Sequence, residues 1–432
     1  MPYPWRLQGG TAFAVSGPSI QSIDGSRQTA PHSSSCSPIR SAHARRLPLY
    51  TKDFPRNMRT NAMVHCLERL VARRRCLLAS LLTLALFVAA LPQAACVAAA
   101  PSLVRFTANS RQQLGTVLLN LADQAIVLGR DGQLHTLQGQ QATTIQAEKG
   151  TFSAIDALEL KTQLAKEFGS GFEVQLTQHF VIVQPKNRGS HWPDLFERSH
   201  RSFLHYMTKR NVNIRSGRFP MVAVVMPDQA AMYGELAKMG LTAKRVAGVY
   251  ARESNRVITH DGGHRSMVES TLRHEAAHQS AYNFNVHSRV NVTPRWITEG
   301  LGQMFEPQSM ATPIAGHVWR DRVNHECVDY LNAMVKDSDT QGLAEAMNDL
   351  VGSDEMFANP KTTVYAYSLA WAMMFYLAEH EPNRFQNLVH DTVSRGAFRQ
   401  YPRQDRLRDF HSWAGCSPGQ FAIKLSRFIE SI

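Results

Sequence analysis

Up to about residue 260 the chain alternates short apolar runs with turn residues; beyond it, helix-period stretches dominate. Gln124-Ala-Ile-Val-Leu-Gly129 and Gln133-Leu-His-Thr-Leu137 flank Arg130-Asp131-Gly132, which predicts a hairpin. Ala154 to Phe168 has helical spacing and stops at Gly169. Phe172-Glu-Val-Gln-Leu176 and His179-Phe-Val-Ile-Val-Gln184 suit strands. From about residue 190 the pattern changes. Pro193 opens a helix to Arg210, Phe219–Met226 is a buried strand, and Asp228 starts a helix that ends at Gly240. Val246–Arg252 and Arg256–His260 form a second hairpin around Glu253-Ser254-Asn255.

Two start signals follow. Ser266-Met-Val-Glu269 reads as a capping box opening a long helix. Thr293-Pro294 reads as an N-cap with proline at the first helical position. Further helices are expected at about 316–336, 341–350, 363–379, 383–395 and 417–431, with Ser417-Pro418 capping the last. No internal repeat is visible.

Composition allows two or three domains: the chain has 432 residues, 44% of them hydrophobic. The net charge of +12 suggests a nucleic-acid partner until it is mapped. Residues 1–100 hold 12 Lys and Arg against 3 Asp and Glu, leaving 35 against 32 for the rest. The basicity belongs to the leader, so no nucleic-acid partner is expected. Arg73-Arg74-Arg75 precede an apolar run from Cys76 to Leu91, and small residues with an Ala-x-Ala-like exit follow at Val97 to Ala99. That is the layout of a secretory signal, which predicts a secreted or periplasmic protein. A transmembrane anchor is the rival reading, but the run of about sixteen residues is short for a bilayer. Cys96 could be a lipid-anchor site, although Gln93 stands where an apolar residue is expected. Residues 1–62, rich in Ser, Pro, Arg and Gly, read as disordered or as a mis-assigned start; the signal segment occupies 63–99, and 100–190 forms a small α+β accessory or propeptide-like module. Beyond the leader only Cys327 and Cys416 remain, and their spacing leaves a disulfide or two separate thiols equally open.

The chemistry lies in Thr271-Leu-Arg-His274-Glu275-Ala-Ala-His278-Gln279, followed by Trp296-Ile-Thr-Glu299-Gly300. Residues four apart share a helix face, so His274 and His278 can hold one metal ion. HExxH at this spacing points to zinc, with Glu299 as third ligand and one position open for water. Glu275, one step round the helix, is placed to take a proton from that water. His260, His264 and His287 lie near the motif but read as surface or loop histidines, His264 being the better substrate-side candidate. Trp296 is expected to pack its helix on the core.

These motifs resemble the gluzincin clan of metallopeptidases. They are more similar still to an uncharacterised gluzincin-like family of secreted bacterial proteins, through His274-Glu275-Ala-Ala-His278-Gln279, Trp296-Ile-Thr-Glu299-Gly300-Leu-Gly-Gln-Met-Phe305-Glu306 and Tyr367-Ser-Leu-Ala370-Trp371-Ala372. The resemblance runs over about residues 175–395. It implies an α+β, zincin-like catalytic domain over 191–432, with a mixed-sheet lobe to about 284, a helical lobe beyond, and a cleft between them. It implies Tyr367, or its rival Tyr365, as oxyanion donor, and makes Val246–Arg252 an edge strand for an extended peptide substrate; Gln303, four on from Glu299, departs from the Asp or Asn that many gluzincins carry to support the Glu ligand. The expectation is a zinc metallopeptidase. The alternatives are a metal hydrolase of a non-peptide or cell-wall amide, and a zincin-fold binding or scaffold protein without activity.

Overall fold

Among the described residues of the computed structural model, 101–242, 246–313, 318–335 and 340–432, ten strands make two five-stranded sheets. The expectations for the start, the signal segment and Cys96 lie outside these residues. The first sheet is β1 (Ser102–Ala108), β2 (Arg111–Asn120), β3 (Gln124–Gly129), β4 (Leu134–Gln138) and β5 (Gln146–Thr151), ordered β4-β3-β2-β1-β5 and antiparallel throughout. Its small core alternates along β1, where Val104, Phe106 and Ala108 are buried with Val127 and Leu137. The β3–β4 turn falls on Arg130-Asp131-Gly132, as expected.

The second sheet contains β6 (Phe172–Leu176), β7 (Phe180–Pro185), β8 (Met221–Met226), β9 (Gly248–Ala251) and β10 (Arg256–His260), in the order β6-β7-β8-β10-β9. It is mixed: β7–β8 and β8–β10 are parallel, β6–β7 and β9–β10 antiparallel. The division by sheets therefore falls between β5 and α1 (Ala157–Phe168), not at 190, because β6 and β7 pair into the sheet that carries β8. β8 is buried at all six positions, as expected of a central strand covered on both faces. Met221, Ala223 and Val225 face α2 (His191–Thr208) and α4 (Arg265–Asn283). Val222, Val224 and Met226 face α1 and α3 (Gln229–Lys238).

Then come α5 (Arg295–Met304), α6 (His325–Val335), α7 (Thr340–Gly352), the short α8 (Glu355–Ala358), α9 (Thr363–His380), α10 (Pro382–Ser394), α11 (Arg403–Ala414) and α12 (Pro418–Glu430). The fold is mixed α+β, with the sheets first and a helical part built around α9, whose residues from Ala366 to Phe375 are all buried. The expected helix from 316 is broken: a 3-10 turn over Trp319–Arg322 precedes α6, and Val323 is extended. Asn324 restarts the helix by accepting from the Cys327 N–H. α11 was not expected, because its stripe of Leu407, Phe410 and Trp413 is thin amid Arg and Asp. Ser417 and Gln420 form the capping box of α12. Cys327 and Cys416 are separate thiols, the first donating to Gln303 Oε1 and the second to the Ala414 carbonyl. No described helix is long and apolar enough to cross a membrane.

Candidate metal centre

α4 is clamped to the second sheet by Gln279, whose amide donates to the carbonyls of Val222 on β8 and Asn255 in the β9–β10 turn. This fixes the rotation of the helix and turns the His274–His278 face toward α5. The helix does not begin with the expected capping box. His264 occupies the cap position, Ser266 lies inside the first turn, and Glu269 is taken by Arg265 at 2.9 Å and His191 at 3.2 Å. α5 likewise starts one residue later than expected, at Arg295. Its free N–H is capped not by Thr293 but by Asp354, 3.0 Å away, which Arg406 of α11 holds in place.

Glu299 thus sits in the second turn of α5, facing α4. His274 Nε2 and His278 Nε2 stand 2.9 Å apart, and Glu299 Oε2 lies 3.5 and 3.7 Å from them. Ligand atoms about 2.05 Å from a tetrahedral centre are separated by roughly 3.3 Å, a value these distances bracket. Two imidazole nitrogens converging on a fully buried carboxylate form a donor set that calls for a cation, and His274, His278 and Glu299 could hold a metal ion. Burial opposes charge on Glu299, but the imidazoles and Arg295, with Nη2 at 3.7 Å, hold its carboxyl well below the usual range. Burial would also push His274 down; Glu299 and Glu306 outweigh it and raise it well above its ordinary value.

Glu275 reaches the sheet edge, where its Oε2 accepts the Tyr250 N–H of β9 at 2.7 Å. Burial raises its pKa against the pull of His274 and His278. β9 is indeed an edge strand of the second sheet. All four residues are 5% exposed or less.

The later tyrosines are placed differently. Tyr367 accepts from Arg295 Nη2 at 3.2 Å and packs edge-on against Phe357, so its hydroxyl reaches Glu299 through Arg295. Tyr365 is half-buried against Tyr330. Gln303 serves α6 instead of the centre, accepting from Asn324 and Cys327. Trp296 is fully buried against Phe410, as expected. Two of the three nearby histidines are not on the surface. His260 is buried in β10, where its Nδ1 accepts from Gly262 N–H, and His287 is 2% exposed. His264 is exposed.

Sequence reasoning missed Glu306. Its Oε1 lies 2.9 Å from His274 Nδ1, the geometry that orients a ligating imidazole. Its backbone carbonyl accepts from the Arg273 guanidinium and Ser270 Oγ, and Asn324 reaches its Oε2 at 3.4 Å. The available signal was its spacing, seven residues beyond Glu299, but α5 ends before it and helical periodicity does not carry that far. It missed Gly302 too: a Cβ there would stand 2.6 Å from the His274 ring.

Residues 268–398 match a family described as a protein of unknown function (DUF1570). The matched stretch is under a third of the chain, contains the whole centre and begins at α4, later than the expected 175. No curated protein matches the chain.

Proposed function

We propose that this chain is a zinc-dependent metallopeptidase of gluzincin type, secreted or periplasmic, hydrolysing peptide bonds. The observation that carries the reading is the convergence of His274, His278 and Glu299, with Glu275 on the same helix but turned to an edge strand. A zinc ion held there would supply Lewis acidity and make water nucleophilic near neutral pH.

Glu275 is the general base. Burial holds its proton affinity above that of an ordinary carboxylate, which suits a group that accepts a proton from water and returns it to the leaving amine. The Tyr250 N–H fixes one of its oxygens, so it acts from one orientation. Because Tyr250 lies in β9, the base is tied to the strand along which an extended substrate would run. Glu306 keeps His274 in the tautomer that leaves Nε2 free to ligate. Arg295, held by the Tyr367 hydroxyl, adds positive charge beside Glu299; Tyr367 enters the proposal through that contact and as candidate oxyanion donor.

The test compares wild type with Glu275→Gln for bound zinc and for cleavage of an unstructured protein. Equal zinc with activity lower by roughly 10²–10⁴-fold is expected; equal activity would remove Glu275 as base and the hydrolase with it. Burial of all four groups favours one other reading, a metal site without hydrolysis. Zinc bound by wild type with no cleavage of peptides or muropeptides would select it.

A further inference from the structure

The two ligating imidazoles are supported unequally. His274 has Glu306 behind its Nδ1, whereas the buried Nδ1 of His278 has no hydrogen-bond partner. Ligating histidines nearly always give that second N–H to an acceptor, which fixes tautomer and ring angle. His287, whose ring packs on Tyr282 one helical turn beyond His278, has the complementary deficit: it is 2% exposed, and neither ring nitrogen has a hydrogen-bond partner. A buried polar atom left without a partner costs about 1–3 kcal/mol, so both groups need a reason.

The chain is folded to bring them together. After α4, Asn285 adopts a left-handed conformation (φ 68°), and the N–H groups of Val286 and His287 both return to the Ala281 carbonyl. This turn sends the His287 ring back against Tyr282, with ring centroids 5.3 Å apart. Tyr282 stands one turn beyond His278, two beyond His274, on the same face of α4. His287 is thus set at the inner end of the row that carries both imidazole ligands.

We propose that His287 is a positioning residue for the metal centre, its imidazole becoming the acceptor for His278 Nδ1–H once a metal ion seats the His278 ring. A neutral acceptor suits this side of the centre, because Glu299, Glu306 and Glu275 already bring three carboxylates to it.

The inference rests on the metal reading but not on peptide hydrolysis. Zinc affinity of the full chain is measured by chelator competition for wild type, His287→Phe and His287→Gln, alongside thermal unfolding of each metal-free protein. The phenylalanine variant preserves packing on Tyr282 and removes the acceptor; the glutamine variant restores one. The expected result is zinc binding 10–100-fold weaker in His287→Phe, largely recovered in His287→Gln, with similar metal-free midpoints. Should His287→Phe not fold, His287→Leu takes its place, and the visible spectrum of the cobalt(II) protein, altered in the variant, reports His278 directly. Unchanged affinity overturns the proposal; so does unchanged affinity with lost cleavage, which would make His287 a substrate contact. A wild type that takes up no zinc overturns the metal reading itself.

Discussion

At the residue scale, the centre depends on which charges burial is allowed to keep. Glu306→Gln retains a hydrogen-bonding side chain behind His274 but removes its charge. Zinc affinity is expected to fall roughly 10-fold, read by chelator competition; an unchanged affinity would mean that Glu306 only packs. A second histidine sets a pH dependence away from the centre. Burial, reinforced by the charge of His179 and opposed by Glu197, pushes His200 down to about 3, while its Nδ1 contacts Ser280 Oγ at 2.9 Å. The folded protein keeps this ring neutral, whereas the unfolded chain takes up a proton at an ordinary histidine pKa of ~6.5. Its contribution is complete above that pH and declines as pH falls toward about 3. In chelator, guanidinium unfolding at pH 7 and pH 5 should differ by about 2 kcal/mol less in His200→Phe than in wild type, from 1.36 kcal/mol per pH unit over about 1.5 units. The same difference in both proteins would show that His200 is not held neutral. Of these residues, His274, Glu275, His278 and Glu299 were legible because a helix face and a ligand chemistry fix their spacing. Glu306, His200 and His287 were not, because each acquires its role from a partner across a fold boundary.

At the element scale, α4, α5 and α9 meet through glycines. Gly300 faces the Ala370 carbonyl and Met374 of α9, while Gly302 faces the His274 ring. The two alanine substitutions should therefore fail differently. Gly302→Ala would push the imidazole out of line and lower zinc affinity more than stability. Gly300→Ala meets backbone, which cannot rotate away, and should cost about 1–3 kcal/mol of stability by overpacking. Denaturant midpoints measured with zinc titrations separate these outcomes; equal effects of both substitutions would refute the distinction. The pattern of apolar positions located most of these elements but misjudged their starts. A cap belongs to whichever group reaches the free N–H groups, and at α5 that is Asp354, fifty-nine residues away.

At the scale of the whole molecule, the first sheet is pinned to the segment that flanks the centre. Arg289, two residues past His287, donates to the Gly132 carbonyl in the β3–β4 turn and contacts that of Arg252 at the β9–β10 turn. Leu134 N–H donates to the Glu253 carbonyl at 2.8 Å. Arg289→Leu leaves these carbonyls without their donor and should lower stability by about 1–3 kcal/mol. Hydrogen exchange should then speed up in both turns together; acceleration confined to the β3–β4 turn would mean that the two are not coupled. The sequence by itself determined the mixed α+β class, the buried β8, the second hairpin and the convergence of His274, His278 and Glu299, because these follow from periodicity and from spacing within one or two helices. Only the tertiary structure decided how deeply the ligand residues are buried, that β6 and β7 share a sheet with β8, that Tyr367 answers to Arg295, and that Glu306 stands behind His274. Those choices depend on contacts between residues far apart in the chain, and local pattern carries no information about the distance between two elements once both are packed.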